Sequence, residues 1–323
     1  MSPEEEPEEE LEEEPEDIDG RASATLIASG SLRGPYLGRV PLGPELTREV
    51  LITYDRSKYD FATLMWEVMM SDGPDRSLET AVVAEASQLL GSIHTLELHK
   101  RGRQAAHRIV SGRSVYNRRW RIDTPARRKL LALLRLFVRE VIVPHTEARL
   151  AADLSTARDA ARCRGDHAAA GVLDSLPAVL PLKRLMIQRE PTFRVHLPGT
   201  RKALGTRHID AEYFHQRGEI NYWLPLTRCF GSNTLWTESV PGAKDFHPLE
   251  LDYGQLACFY GNQCEHYTLP NDTDTTRISL DFRIVADAHF EAVPAGVPLR
   301  PRTGKPYFNV GEWYDVVELD ESC

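Results

Sequence analysis

No apolar run in the 323-residue sequence approaches the roughly eighteen residues that span a membrane, so a transmembrane helix is not expected. There is no CxxC pair. The five cysteines (Cys163, Cys229, Cys258, Cys264 and Cys323) are odd in number and widely spread, which excludes a disulfide framework and a zinc-finger pattern. The opening residues hold no basic patch followed by an apolar stretch, so a secretory signal is not expected. These absences together point to a cytoplasmic protein with reduced thiols. No internal repeat and no nucleic-acid-binding motif is visible.

Basic residues are also missing from the first nineteen positions, which carry twelve acidic side chains. Those carboxylates account for more than the whole net charge of −9, and the rest of the chain carries +3. A self-repelling run punctuated by proline cannot bury apolar surface, so residues 1–20 are expected to form a disordered acidic tail. The opposite bias appears over residues 100–139, with thirteen Lys and Arg against the single acidic Asp123. Such a patch can steer an anionic partner, but aromatic side chains are sparse there. A solvated helical surface is the expectation, and nucleic acid is not the expected partner.

What is present is enough apolar material, 41% of residues, to bury a core. Residues 21–189 read as a mainly helical region, opened by a strand near Glu49–Tyr54. Phe61, Leu64, Met65, Val68 and Met69 recur at three- and four-residue steps, as an amphipathic helix requires. Asp123-Thr124-Pro125 starts a second helix, running toward Pro144, with a cap followed by proline in the first turn. A third covers about 146–163. From 190 to 323 short β-type runs take over: 193–197, 219–226, 234–238, 255–260 and 276–285. Strands so short and close predict an antiparallel sandwich or barrel, with the jelly roll as the natural candidate. The expected class is α+β, with helices packed on a cupin-like core.

The chemistry-bearing pattern lies between Gly205 and Arg283. His208-Ile209-Asp210 is followed after fifty-five residues by His266, and after ten more by Arg277-Ile278-Ser279. Residues two apart on a strand share a face, so His208 and Asp210 can reach one ion together. Two imidazoles and one carboxylate form the facial set associated with iron(II) oxygenases, leaving positions open for a cosubstrate and dioxygen. In the last strand Arg277, Ser279, Asp281 and Arg283 alternate with Ile278, Leu280, Phe282 and Ile284. One face is polar and the other apolar, as in a strand lining a cavity. The planar fork of Arg277, with the Ser279 hydroxyl beside it, suits the distal carboxylate of 2-oxoglutarate.

This arrangement resembles the HxD…H…RxS signature of the Fe(II)/2-oxoglutarate-dependent dioxygenase superfamily. The wider wording of residues 208–216, 219–227 and 232–239 is similar to the oxygenases of streptomycin-type biosynthesis clusters, related to the phytanoyl-CoA hydroxylase-like branch. The resemblance covers about residues 190–285. It implies a double-stranded β-helix, iron(II), 2-oxoglutarate, dioxygen and a small polar metabolite as substrate. Halogenating members carry a small residue in place of the carboxylate; Asp210 therefore implies hydroxylation or a related oxidation. Asn221 and Trp223 share one strand face and are expected near the cosubstrate, while Tyr213, His215, Trp236 and Glu238 are expected on the substrate side. His215 and Glu219 are rival metal ligands in a cupin-type enzyme that would ignore 2-oxoglutarate. A non-catalytic β-barrel binding module is the remaining alternative. Nothing in the sequence bears on oligomeric state.

Overall fold

The computed structural model describes residues 42–70, 86–96, 114–174, 182–292 and 298–319. The expected acidic tail, and residues 100–113 of the basic segment, lie outside the described residues. Where that segment is described, Arg128 pairs with Asp123, Arg127 with Glu190 and Arg135 with Asp315. Arg119 is buried and donates to the Met69 carbonyl. These basic groups are spent on local pairing. No described helix is long and apolar enough to cross a membrane.

The helix Phe61–Met70 buries Phe61, Ala62, Met65, Val68 and Met69, one stripe at helical spacing. The helix Pro125–Phe137 starts where Thr124 Oγ1 accepts from the Arg127 amide at 3.1 Å, with proline in the first turn where no amide partner is needed. It does not end before Pro144. A π-helical turn, Val138–Ile142, carries it into the helix Val143–Cys163. Pro144 lacks an amide hydrogen and crowds the preceding turn; a widened turn in front of it relieves both problems.

That last helix anchors the chain entry. Asp153 is buried and accepts from the backbone amides of Glu45 and Leu46, each at 2.8 Å. Arg149 donates through Nε to the Glu45 carbonyl at 2.6 Å and through Nη1 to Cys258 Sγ at 2.8 Å. Gly43 permits the approach, since a Cβ there would sit 2.2 Å from Asp153 Oδ1.

Among the described residues, ten strands form two antiparallel sheets. They are β1 (Val50–Thr53), β2 (Arg184–Gln188), β3 (Thr192–His196), β4 (Ile220–Pro225), β5 (Leu235–Thr237), β6 (His247–Pro248), β7 (Gln255–Phe259), β8 (His266–Thr268), β9 (Arg277–Ala286) and β10 (Tyr314–Glu318). The larger sheet runs β1-β7-β4-β9-β2-β10, with β3 also paired to β9; the smaller runs β6-β5-β8. Strand β9 organises the larger sheet. One edge pairs with β4, while the other takes β3 along Arg277–Asp281 and β2 along Ile284–Ala286. The sheet thus draws β1 and β2 from the amino-terminal side of residue 190.

Alternation along these strands sorts two cores. Tyr222, Leu224, Leu256, Cys258, Ile278, Leu280 and Phe282 share a cluster with the helical Phe61, Leu130 and Phe137. Trp223, Ala257 and Phe259, one residue out of phase, cluster instead with Cys229, Leu249 and Leu251, and Leu235 of the smaller sheet packs on them. Helices therefore cover one face of the larger sheet. The other face, carrying the polar side of β9, looks toward the smaller sheet.

Candidate metal centre

The smaller sheet positions the two histidines. His208 bridges to His266: the His208 amide donates to the His266 carbonyl at 3.2 Å, and the reverse bond is 3.0 Å. The expected strand carrying both His208 and Asp210 is cut short. Ile209 is extended (φ −112°, ψ 146°), but Asp210 opens a 3₁₀ turn, Asp210–Tyr213, its amide donating to the Gly261 carbonyl at 2.9 Å. One extended residue is enough to bring the two side chains together.

Each imidazole is oriented from behind. His208 Nδ1 lies 2.6 Å from the Thr206 carbonyl, and His266 Nδ1 lies 3.0 Å from the Cys264 carbonyl. Carbonyls only accept, so the protons sit on Nδ1 and both Nε2 lone pairs are free. Those nitrogens approach Asp210 Oδ1 at 3.8 Å (His208) and 3.7 Å (His266). Burial pushes His266 down to about 4, against the pull of Asp210, so its ring is neutral near pH 7. Burial by itself would raise Asp210; the Arg283 guanidinium, with His266 and His215 adding to it, outweighs burial and holds the carboxyl well below the usual carboxylate range. Two imidazole nitrogens and an ionised oxygen form the donor set a divalent first-row metal requires. Their ligand atoms lie within 4.8 Å of one another, and no other cluster of three or more His, Cys, Asp or Glu side chains does so among the described residues. Ligands sharing an ion with bonds of about 2.1 Å sit roughly 3 Å apart, so the gap from each imidazole to Asp210 closes with a shift of under an ångström.

The cavity beside this triad encloses about 570 Å³, counting its open mouth; its lining includes His208, His266, Asn221, Trp223, Phe259 and Arg277. Arg277 is 2% exposed, and its guanidinium lies 5.7 Å from the Trp223 ring centre. Burial lowers its pKa to about 10, which leaves it charged at neutral pH. Its Nε and Nη1, and the nearby Ser279 Oγ, are buried without hydrogen-bond partners. A buried guanidinium with open donors is costly unless an anion satisfies it.

The remaining expected residues divide. Asn221 and Trp223 both face the cavity, whereas Tyr222 stacks on Phe282 in the helix-covered core. Tyr213 is exposed, edge-on to the His208 ring at 5.2 Å. His215 is buried behind the triad, stacked on Phe308 at 3.9 Å with Nδ1 2.7 Å from Glu219 Oε2. Glu219 accepts from the Tyr314 hydroxyl and faces Arg283 at 3.6 Å. Neither His215 nor Glu219 joins the cluster of His208, Asp210 and His266. Trp236 stacks on Tyr267 and Glu238 caps the backbone amides of Gly242, Lys244 and Glu265; neither lines the cavity. Arg283 escaped the sequence reading as a functional group. Its place on the polar face of β9 was legible, but its partner Asp210 was not.

No family model matches the chain. Among solved structures, the chain is similar to apo EctD from S. alaskensis, at 11% identity and a TM-score of 0.40 with 80% of each chain covered. It is also similar to CytC3 with Fe(II) and alpha-ketoglutarate, at 14% and 0.36, covering 79% of this chain and 78% of that one. The non-heme monooxygenase ThoJ in its Ni complex gives 14% and 0.35, with 75% of each covered. These superpositions are loose. A sequence match is closer: streptomycin biosynthesis protein StrG of Streptomyces griseus is 38% identical over 136 residues, 41% of this chain. The chain spans 60% of that protein's length, and over the matched residues it is a homologue of a streptomycin biosynthesis protein.

Proposed function

We propose that the chain is a non-haem iron(II) oxygenase that couples 2-oxoglutarate decarboxylation to hydroxylation, or a related C–H oxidation, of a small polar metabolite. Its two sheets would form a double-stranded β-helix. The observation that carries the reading is the convergence of two Nε2 atoms and an ionised carboxylate, with both histidines lining a cavity that also holds a buried guanidinium with open donors. A cupin-type enzyme or an empty binding module has no use for that guanidinium.

His208, His266 and Asp210 would hold iron(II). Bound together with 2-oxoglutarate and dioxygen, the metal supplies an oxidant strong enough to break a substrate C–H bond. The chain's own contribution is placement. Arg277 and Ser279 fix the far carboxylate of the cosubstrate, and Trp223 walls the same region. Phe259 and Leu235 keep the cavity dry and apolar beside the metal ligands. Tyr213, exposed beside His208, would meet substrate. The four described cysteines are unpaired, which fits the reducing cytoplasm.

Purified full-length protein, supplied with iron(II), 2-oxoglutarate and candidate hydroxylated or amino-substituted metabolites, is expected to release succinate. Metal binding without any dependence on 2-oxoglutarate would return the cupin-type reading. The similarity to a streptomycin biosynthesis protein makes cyclitol and aminoglycoside precursors the first substrates to assay.

A further inference from the structure

Asp210 has more partners than a metal ligand needs. Its Oδ2 accepts from Asn221 Nδ2 at 2.7 Å and from Arg283 Nε at 2.9 Å. Its Oδ1 accepts from Arg283 Nη2 at 3.0 Å. An ionised carboxylate offers four lone-pair sites, two on each oxygen. Three are occupied by protein donors. The one left is on Oδ1, the oxygen that approaches both imidazole Nε2 atoms.

We infer that Arg283 and Asn221 are positioning residues that consume three of the four lone pairs of Asp210 and so present it to the metal through a single oxygen. The inference rests on the metal-centre reading proposed above and goes beyond its ligand set. A two-oxygen grip by Asp210 would take up a coordination position that the cosubstrate or dioxygen must use. The fork of Arg283 closes that option, because only a planar guanidinium donates to both oxygens at once.

The surroundings hold these two residues in turn. Arg283 Nη1 donates to Gln188 Oε1 at 3.4 Å, and Arg283 Nε lies 3.6 Å from Glu219 Oε2. Glu219 is itself held by Tyr314 and His215, so the pair extends into a buried chain of polar groups behind the triad. Asn221 is pressed against Gly261, where a Cβ would come within 2.6 Å of its Nδ2. Glycine at 261 leaves the amide the space it needs to reach Asp210.

Cobalt(II) alone, titrated anaerobically into the metal-free full-length protein at fixed pH, reads both affinity and coordination through its visible absorption bands. Arg283→Lys keeps the charge and removes the fork; it is expected to bind cobalt about 10–100-fold more weakly, with shifted bands. Gly261→Ala reaches the same oxygen by displacing the Asn221 amide, without altering a charge or a ligand, and carries the test if Arg283→Lys does not fold. His208→Ala serves as the ligand control. Wild-type affinity and unchanged bands in a folded Arg283→Lys or Gly261→Ala protein, alongside lost binding in His208→Ala, overturn the positioning role and leave the metal centre standing. No cobalt binding by the wild type overturns both. A merely structural salt bridge would lower the melting temperature without moving the bands.

Discussion

Replacing Arg277 with methionine should make the ligand-free protein more stable while destroying its response to 2-oxoglutarate. The side chain is 2% exposed, and two of its donor nitrogens have no partner. Its charge faces the Trp223 ring at 5.7 Å, an interaction worth about 0.5–2 kcal/mol, with a weaker pull from Asp281. The desolvation cost of a buried, unpaired charge is several kcal/mol. Methionine fills a similar volume with a flexible, uncharged chain, so the net gain should be on the order of 1–3 kcal/mol. In a protein of this size that raises the melting temperature by a few degrees. With the cosubstrate the sign reverses. Removing one side of a buried, hydrogen-bonded charge pair costs about 2–5 kcal/mol of binding, which is at least a thirtyfold rise in the 2-oxoglutarate needed. Thermal melts with manganese(II), with and without 2-oxoglutarate, read both effects. Wild type at a hundredfold excess over its dissociation constant should gain about 2.7 kcal/mol, and Arg277→Met less than about 1 kcal/mol. A methionine variant that melts lower than wild type, or is stabilised equally by 2-oxoglutarate, refutes the reasoning.

Three further outcomes are expected. His208→Ala should abolish divalent-metal binding and succinate release together, since one of the two imidazoles is lost; retained turnover would remove His208 from the centre. Asp153→Ala should strand the buried Leu46 amide, at about 1–3 kcal/mol, and the part-buried Glu45 amide at less, and lower the urea midpoint without changing metal affinity. Acid should destabilise the fold from about pH 6.5 downward. Burial, with Arg277 adding to it, pushes His196 to about 3, and burial likewise pushes His145 to about 4. Both folded values lie below the ordinary 6.5, so the unfolded chain takes up protons first. Each histidine then subtracts about 1.4 kcal/mol per pH unit until its folded value is reached. The double variant His145→Gln/His196→Gln should flatten the dependence of the urea midpoint between pH 6.5 and 5; an unchanged slope would discard this source.

Local signals were read with little error. Thr124-Pro125 opens a helix because a cap and a missing amide act within one turn. The alternation of Arg277 to Ile284 produced β9 within a residue of its expected start. Strands without such a signal were lost. β8 has three residues, and β2 (Arg-Leu-Met-Ile-Gln) sits at the end of a region with helical texture. The helix end expected before Pro144 was missed for another reason: proline disfavours a regular helical turn, and a π turn supplies a different one.

At the site, the sequence by itself determined the donors: two imidazoles, one carboxylate, and an arginine and serine on the polar side of one strand. Period-two geometry and side-chain chemistry are local properties, and they survive without coordinates. Tertiary structure alone decided that Trp223 and Asn221 face inward while Trp236 and Glu238 do not, because strand register sets which face meets the cavity. It also decided that Arg283 grips Asp210, seventy-three residues away in the chain. Spacing cannot reveal such a pair, since loop closure leaves many partners open to a buried charge and only the packed sheet selects one.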